Sequence, residues 1–239
     1  MDMKISVIIP AFNEERYIER CLSSILKCEE GAFSEIIVVD NASTDRTAEV
    51  ARAYKGARVV SESVKGTNSA RQKGFRESTG DVVVFIDADT EVTPEWFACI
   101  RRKFENDPEL VCLSGPLYYA DVPIVKKVSV WMYWNILALP FYFVLGYMAT
   151  GGNCAIRRVA LEKLGGFNTD IRFYGDDTNT ARRLHAVGRV VFTKKLWVYT
   201  SSRRLKGQGF LKTGFIYGAN FLSEAFLHRP VTKGHKDIR

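Results

Sequence analysis

Histidine is scarce. The 239 residues include three, His185, His228 and His235, and no two of them form a ligand pair, which argues against a zinc site. The five cysteines, Cys21, Cys28, Cys99, Cys112 and Cys154, are odd in number and include no C-x-x-C spacing. Several lie inside apolar runs, so they are expected to be reduced core residues of a cytoplasmic protein, not a disulfide framework. No amino-terminal signal peptide is predicted, because Lys4 is followed at once by a short strand pattern. No recognised nucleic-acid motif accompanies the net charge of +7. That charge is gathered in one place: residues 201–239 hold eight Lys/Arg and two acids, or +6 of the total. A tail of this kind suits phosphates, an anionic membrane surface or nucleic acid. A nucleic-acid-binding protein is disfavoured, because the charge is confined to that tail. Nothing in the composition suggests disorder, and 46% hydrophobic content is ample for one large α/β domain.

What is present centres on Asp81-Val-Val-Val-Phe-Ile-Asp87-Ala-Asp89-Thr90. Residues 82–86 are apolar on both faces, which predicts a central, fully buried strand of a parallel sheet. Asp87 and Asp89 stand at alternate positions where the run ends. Ligands of open α/β sheets collect outside the carboxyl ends of the strands. Two carboxylates there can hold a hard divalent cation whose other ligands are waters and substrate phosphates. Asp-x-Asp is a short pattern, and the alternative is a polar strand end with Thr90 and Thr93 opening the next helix.

Strand and helix alternate four times up to that point. Residues 4–10 predict a strand stopped by Pro10, with Asn13 as N-cap and Glu14 and Glu15 in the first turn of a helix. Residues 34–40 predict a second buried strand, and 41–45 a turn into a helix bearing Ala48, Ala51 and Tyr54. A short strand at 58–60 and a helix at 67–77, with Arg71 in its first turns, lead to the strand at Val82. This is the signature of a parallel βαβ sheet. Thr93 then predicts a cap and Pro94 a helix start, with Phe97, Ile100 and Phe104 on one face. Residues 111–119 predict one strand, and the regular alternation breaks there. Later come Thr150-Gly151-Gly152-Asn153, a helix opened by Gly175-Asp176-Asp177, and short strands at 189–192 and 196–199. A basic loop at 201–207, a helical stripe from Phe210 to Ala225 and a loose tail from Pro230 complete the chain.

From 128 to 148 the chain is apolar and uncharged, a length that reaches the membrane-spanning range. Asn135 and Pro140 interrupt it, and its aromatics are spread throughout instead of forming two belts. Three readings stay open: a span, a segment embedded in a membrane surface, or a helical pair buried in the protein or in a homodimer interface.

Asp40, the Asp87/Asp89 pair and Asp176/Asp177, with the opening Val7-Ile-Ile-Pro-Ala-Phe-Asn-Glu-Glu15, together resemble family 2 glycosyltransferases of the GT-A fold. The resemblance runs from about residue 6 to about residue 205, and it is specific in the order and spacing of its motifs. It implies a Rossmann-like, mostly parallel α/β sheet with helices on both faces. Residues 1–205 would form the glycosyltransferase domain, with 1–92 its nucleotide-sugar-binding half and 93–205 its acceptor half carrying the apolar insert 128–148. Residues 206–239 would form a basic C-terminal helix and tail.

The same resemblance implies roles. Pro10, Ala11, Asn13 and Glu14 would line the nucleotide pocket, and Asp40 would hydrogen-bond the nucleobase or ribose. Asn41 stands where many members have a second acid, which weakens any claim about the base that is read. Arg71 would contact the nucleotide, against the alternative of a solvated helix arginine. Asp87, Ala88 and Asp89 match the metal motif, in which Mg²⁺ or Mn²⁺ bridges the second carboxylate and the nucleotide diphosphate. Gly151, Gly152 and Asn153 resemble the loop beside donor sugar and acceptor, where glycine lets backbone approach a ligand. Asp177 falls where the family places its catalytic base, with Asp176 beside it; the alternative is a helix-start acid favouring the dipole. Arg203 and Arg204 resemble residues that cover the diphosphate, or else form a membrane-facing patch.

The implied reaction is inverting transfer from a nucleoside-diphosphate sugar to a glycan or polyprenyl-linked acceptor. The implied location is cytoplasmic, peripheral on the inner face of the cell membrane if the apolar stretches meet lipid. Two rivals use the same residues. A sugar nucleotidyltransferase would need a Gly-rich, basic loop after the first strand, which Pro10-Ala-Phe-Asn does not supply. An inactive nucleotide-sugar-binding protein would have no reason to keep Asp87, Asp89 and Asp177 together.

Overall fold

The structure is a computed structural model that describes residues 3–28, 31–171, 175–228 and 231–232. Its centre is β4 (Val82–Ile86), every residue of which is buried. On one side of β4 lies β1 (Ile5–Ala11), then β2 (Glu35–Asp40) and β3 (Ala57–Ser61), all parallel. On the other side β8 (Asn153–Arg157) enters antiparallel, followed by β6 (Leu110–Ser114) and β9 (Arg189–Phe192). The order of this seven-stranded sheet is β3-β2-β1-β4-β8-β6-β9.

Apolar residues on both faces of the central strands are covered by helices on both sides. Val7, Ile9, Val84 and Ile86 enter one core with α1 (Ile18–Leu26), α2 (Thr47–Arg52) and α4 (Glu95–Glu105). Ile8, Val83 and Phe85 enter the other with α3 (Thr67–Glu77), α7 (Arg158–Lys163) and α8 (Asp176–His185). Side-chain alternation along a pleated strand is what sends neighbours to opposite layers. A small second sheet, β5 (Thr90–Glu91), β10 (Val198–Thr200) and β7 (Leu117–Tyr119), sits beyond the end of β4. It ties the stretch after the aspartates to the C-terminal part of the chain.

Several local expectations need correction. Asn13 does not cap α1: its φ is 54°, left-handed, and Tyr17 takes the cap position. The Asn13 side chain turns to the next loop instead, where Oδ1 accepts from the Thr44 amide at 2.8 Å. Thr93 gives no side-chain cap either. Pro94 occupies that position, because its restricted φ already suits a helix start. The run 111–119 divides into β6 and β7 of different sheets at Gly115-Pro116, since proline has no amide to continue a ladder. The basic loop is partly helix, α9 (Arg203–Gln208), before α10 (Phe210–Leu227). The Phe210 side chain and the tail from Pro230, apart from 231–232, lie outside what is described.

The apolar insert is neither a helical pair nor buried. It is one continuous helix, Ile124–Leu145, made of α5 (Ile124–Met132), a π-helical turn (Tyr133–Ala138) and α6 (Leu139–Leu145). Pro140 is accommodated in the first turn of α6, so it does not split the helix.

Candidate active site

The ends of β1, β2 and β4 meet at one edge of the sheet, and the loops that leave them are stitched together by hydrogen bonds. The Glu14 amide donates to Thr47 Oγ1 at 2.7 Å, the Asn13 amide to Ser43 Oγ at 3.0 Å and the Glu15 amide to Asp45 Oδ2 at 3.1 Å. Ala42 stands in this knot with φ 60°, a region alanine seldom adopts, which marks the loop as held in place by its surroundings. At the end of β2, Asp40 Oδ1 is buried and has no hydrogen-bond partner among the described residues. A buried acceptor without a donor is costly unless a ligand completes it.

Arg71 is the hub on the other side. Its side chain is only 5% exposed and meets Asp176 at 2.7 Å, Asp177 at 3.2 Å and Asp87 at 3.7 Å. Burial works against its charge, but the three carboxylates overcome that and hold the guanidinium above its usual pKa. Burial and the neighbouring Asp177 push Asp176 up to about 7, against the pull of Arg71. The two adjacent acids therefore differ: the Asp176 side chain is 14% exposed and that of Asp177 36%. Asp177 is the one open to a substrate.

Gly151 and Gly152 have a steric reason to be glycine. A Cβ at Gly151 would strike the Asp177 carboxylate and the Arg71 guanidinium, and one at Gly152 would strike Asp87. Their bare backbone is what lets β4, α3 and α8 bring the acids together.

A second guanidinium closes the cleft from the C-terminal side. Arg203, at the start of α9, donates to both carboxylate oxygens of Glu14 at 2.7 and 2.5 Å. It also lies 3.1 Å from Asp89 and stacks over the Tyr17 ring. Asp89 accepts from the Thr200 hydroxyl at 3.2 Å. Asp87 and Asp89 are hard oxygen donors, and Asp87 is 43% exposed at its side chain. Their donor set fits a divalent cation whose remaining ligands come from a substrate diphosphate and water. Among the described residues, no group of three or more acids, histidines or cysteines is arranged to hold a metal by itself.

The structure thus brings Glu14, Arg71, Asp87, Asp89, Asp176, Asp177, Gly151, Gly152 and Arg203 into one cleft, with Pro10, Ala11, Asp40 and Ala88 at its rim of strand ends. Two of the residues read as substrate-binding have their side chains occupied internally. Asn41 donates to the carbonyls of Glu62 and Val64 and accepts from the Gly66 amide, pinning the loop after β3. Asn153 is buried, accepting from Trp96 Nε1 and donating to the Leu196 carbonyl. Arg204 donates to the Tyr217 hydroxyl at 2.9 Å, and its charge still acts on Asp87 and on Tyr119.

Some neighbours of the cleft carry no signal in the sequence. Thr200 and Tyr17 are met only through folding. Tyr119 lies near Asp89, and burial, with that charge, pushes its hydroxyl up to about 12. Glu224, buried on α10, accepts from Asn179 Nδ2 at 2.8 Å and so ties the C-terminal helix to α8, the helix that begins with Asp176 and Asp177. A glutamate inside an apolar stretch was the available hint.

Residues 6–165 match the family model described as Glycosyl transferase family 2. The chain is 34% identical over 166 residues to the dolichol-phosphate mannosyltransferase of Pyrococcus furiosus, covering 68% of this chain and 42% of that one. It is 31% identical over 209 residues to the probable glycosyltransferase YdaM of Bacillus subtilis, covering 77% and 47%. The chain therefore spans about half the length of these curated relatives. Among solved structures, the mannosyltransferase PcManGT of Pyrobaculum calidifontis, in complex with GDP-Man and Mn²⁺, superposes with a TM-score of 0.72 at 25% identity. That match covers 95% of this chain and 64% of the other.

Proposed function

The chain belongs to glycosyl transferase family 2, and from that premise we propose that it transfers a sugar from a nucleoside-diphosphate sugar to an acceptor hydroxyl or phosphate, with inversion at the anomeric carbon and with a divalent cation. One observation carries this reading: Asp40, Arg71, Asp87, Asp89 and Asp177 converge from four separate segments on one sheet edge. Asp40, through its unpartnered buried oxygen, would receive a hydrogen bond from the base or ribose. Asp87 and Asp89 would hold Mg²⁺ or Mn²⁺, which when bound stabilises negative charge on the departing diphosphate. Arg203 stands within reach of the same charge, and moving from Asp89 to phosphate would keep it paired.

Asp177 takes the proton of the acceptor hydroxyl as the acceptor oxygen bonds to the anomeric carbon. The bond from that carbon to the phosphate oxygen breaks, and its electron pair leaves with the nucleoside diphosphate. Attack and departure on opposite faces, in one displacement, give inversion. Asp176, the more buried of the two acids and 2.7 Å from Arg71, holds the arginine in place, and the more exposed Asp177 takes the base role.

The PcManGT complex holds GDP-Man and Mn²⁺, and the Pyrococcus relative is named for a dolichol-phosphate acceptor. The test is a panel of nucleotide sugars offered with Mn²⁺, with Mg²⁺ and with excess chelator, in the presence of a polyprenyl phosphate or a glycan. Release of nucleoside diphosphate that chelator abolishes is the expected result. Release of pyrophosphate would instead identify a nucleotidyltransferase. Tight donor binding without turnover of any donor would identify an inactive binder.

A further inference from the structure

The helix Ile124–Leu145 buries a single narrow stripe. Val130, Trp134 and Ala138, spaced four apart, pack with Met148 and Phe192, and Trp134 Nε1 donates to the Leu117 carbonyl at 2.9 Å. Only 17% of its most apolar window is buried, and that window has a mean hydropathy of 1.5. Ile136, Phe143 and Val144 are exposed at 61, 76 and 80%. A water-facing helix normally turns charged residues outward, and from 128 to 145 this one has none. A contiguous apolar face of this kind marks an interaction surface.

The surroundings of the helix indicate what covers it. Between α5 and the outward face of β7 and β10 runs a groove of about 530 Å³, lined by Tyr118, Trp131, Trp197 and Tyr199 with Lys127 and Lys194. Lys194 is held over the helix by a 3.0 Å hydrogen bond from Nζ to Asn135 Oδ1. Lys126 and Lys195, next in sequence to the groove lysines, are exposed as well. Amphipathic aromatic rings gathered with cations beside an apolar helix are the arrangement of a membrane–water interface, with rings at headgroup level and lysines on phosphate. The stripe that fastens the helix to β7, Phe192 and Phe221 opposes a span, because the folded domain would have to follow it into the bilayer.

We propose that this face docks on an anionic bilayer, with the helix lying in the interface and the Lys127/Lys194 groove receiving a phosphate-bearing lipid headgroup. Docking itself does not depend on the transferase reading. Its consequence does: an enzyme held this way meets a lipid-linked acceptor without drawing it out of the membrane.

The test is flotation of the full chain with vesicles of phosphatidylcholine alone and of phosphatidylcholine with phosphatidylglycerol, at low and high salt. Wild type is expected to float with the anionic vesicles at low salt and to be released at high salt. K127Q and K194Q should each weaken binding about fivefold, the equivalent of about 1 kcal/mol per basic residue. I136E should abolish it. All three changes are at exposed positions, and unchanged thermal melting will show that the fold persists. Absence of flotation on anionic vesicles at low salt, or flotation indifferent to the lysine changes, overturns the proposal. A dimer by light scattering that I136E dissociates, without vesicle binding, would give the face to a second copy. Because flotation needs no turnover, docking can succeed where the transfer assay fails, and the reverse.

Discussion

Two apolar runs stand out in this chain, and the fold treats them in opposite ways. Val82–Ile86 disappears into the centre of the seven-stranded sheet with helices on both faces, and it ends on the two aspartates of the cleft. Residues 128–145 are as free of charge, yet their helix covers one stripe and leaves the rest open. An apolar run states that a surface must leave water. Whether protein or something else covers it depends on the partners that topology supplies.

That contrast can be broken most forcefully at Val84, which lies between Val7 and Ala155 in the sheet. V84D places an unpaired charge there, and a loss of more than about 4 kcal/mol is expected by urea denaturation. If V84D melts like wild type, the centre of the molecule has been misjudged. At the polar end of the same strand, R71M removes the cation shared by Asp87, Asp176 and Asp177. A loss of about 3 kcal/mol is expected in chelator, the scale of breaking a buried pair, and D176N in the same chain should restore part of it. If R71M leaves the urea midpoint unchanged, Arg71 does not hold the cluster together.

The third prediction concerns chemistry alone. D177N should lower kcat roughly a hundredfold, about 2.7 kcal/mol of barrier, while donor Kd stays within about threefold. A silent D177N beside a damaging D176N would move the base to the neighbouring acid. The smallest effect belongs to the exposed helix: I136E is expected to shift stability by less than about 0.5 kcal/mol in detergent-free buffer. A loss comparable to that of V84D would show that the second run is covered by protein after all.

Much of this architecture was legible because its signals are local. Alternation of strand and helix, the bounds of α3 and the buried run at Val82 follow from periodicity within a few residues, and such patterns survive into the tertiary structure. The cleft was legible through resemblance: acids at strand ends and a helix start occupy positions that the motifs name. Other features depend on pairing between distant residues. β8 enters antiparallel between β4 and β6, and no local property of residues 153–157 states its direction or its neighbours. The caps at Asn13 and Thr93 failed because the loop knot and Pro94 offered those backbones better geometry.

By itself the sequence determined which residues are acids, where strands end and which stretches avoid water. Only the tertiary structure decided that Arg203 grips Glu14 across 189 residues, that the amides of Asn41 and Asn153 are spent on loops, and that 128–145 faces outward. Charges, amides and apolar surfaces all require partners, but a side chain carries no record of which partner the sheet order will bring within reach.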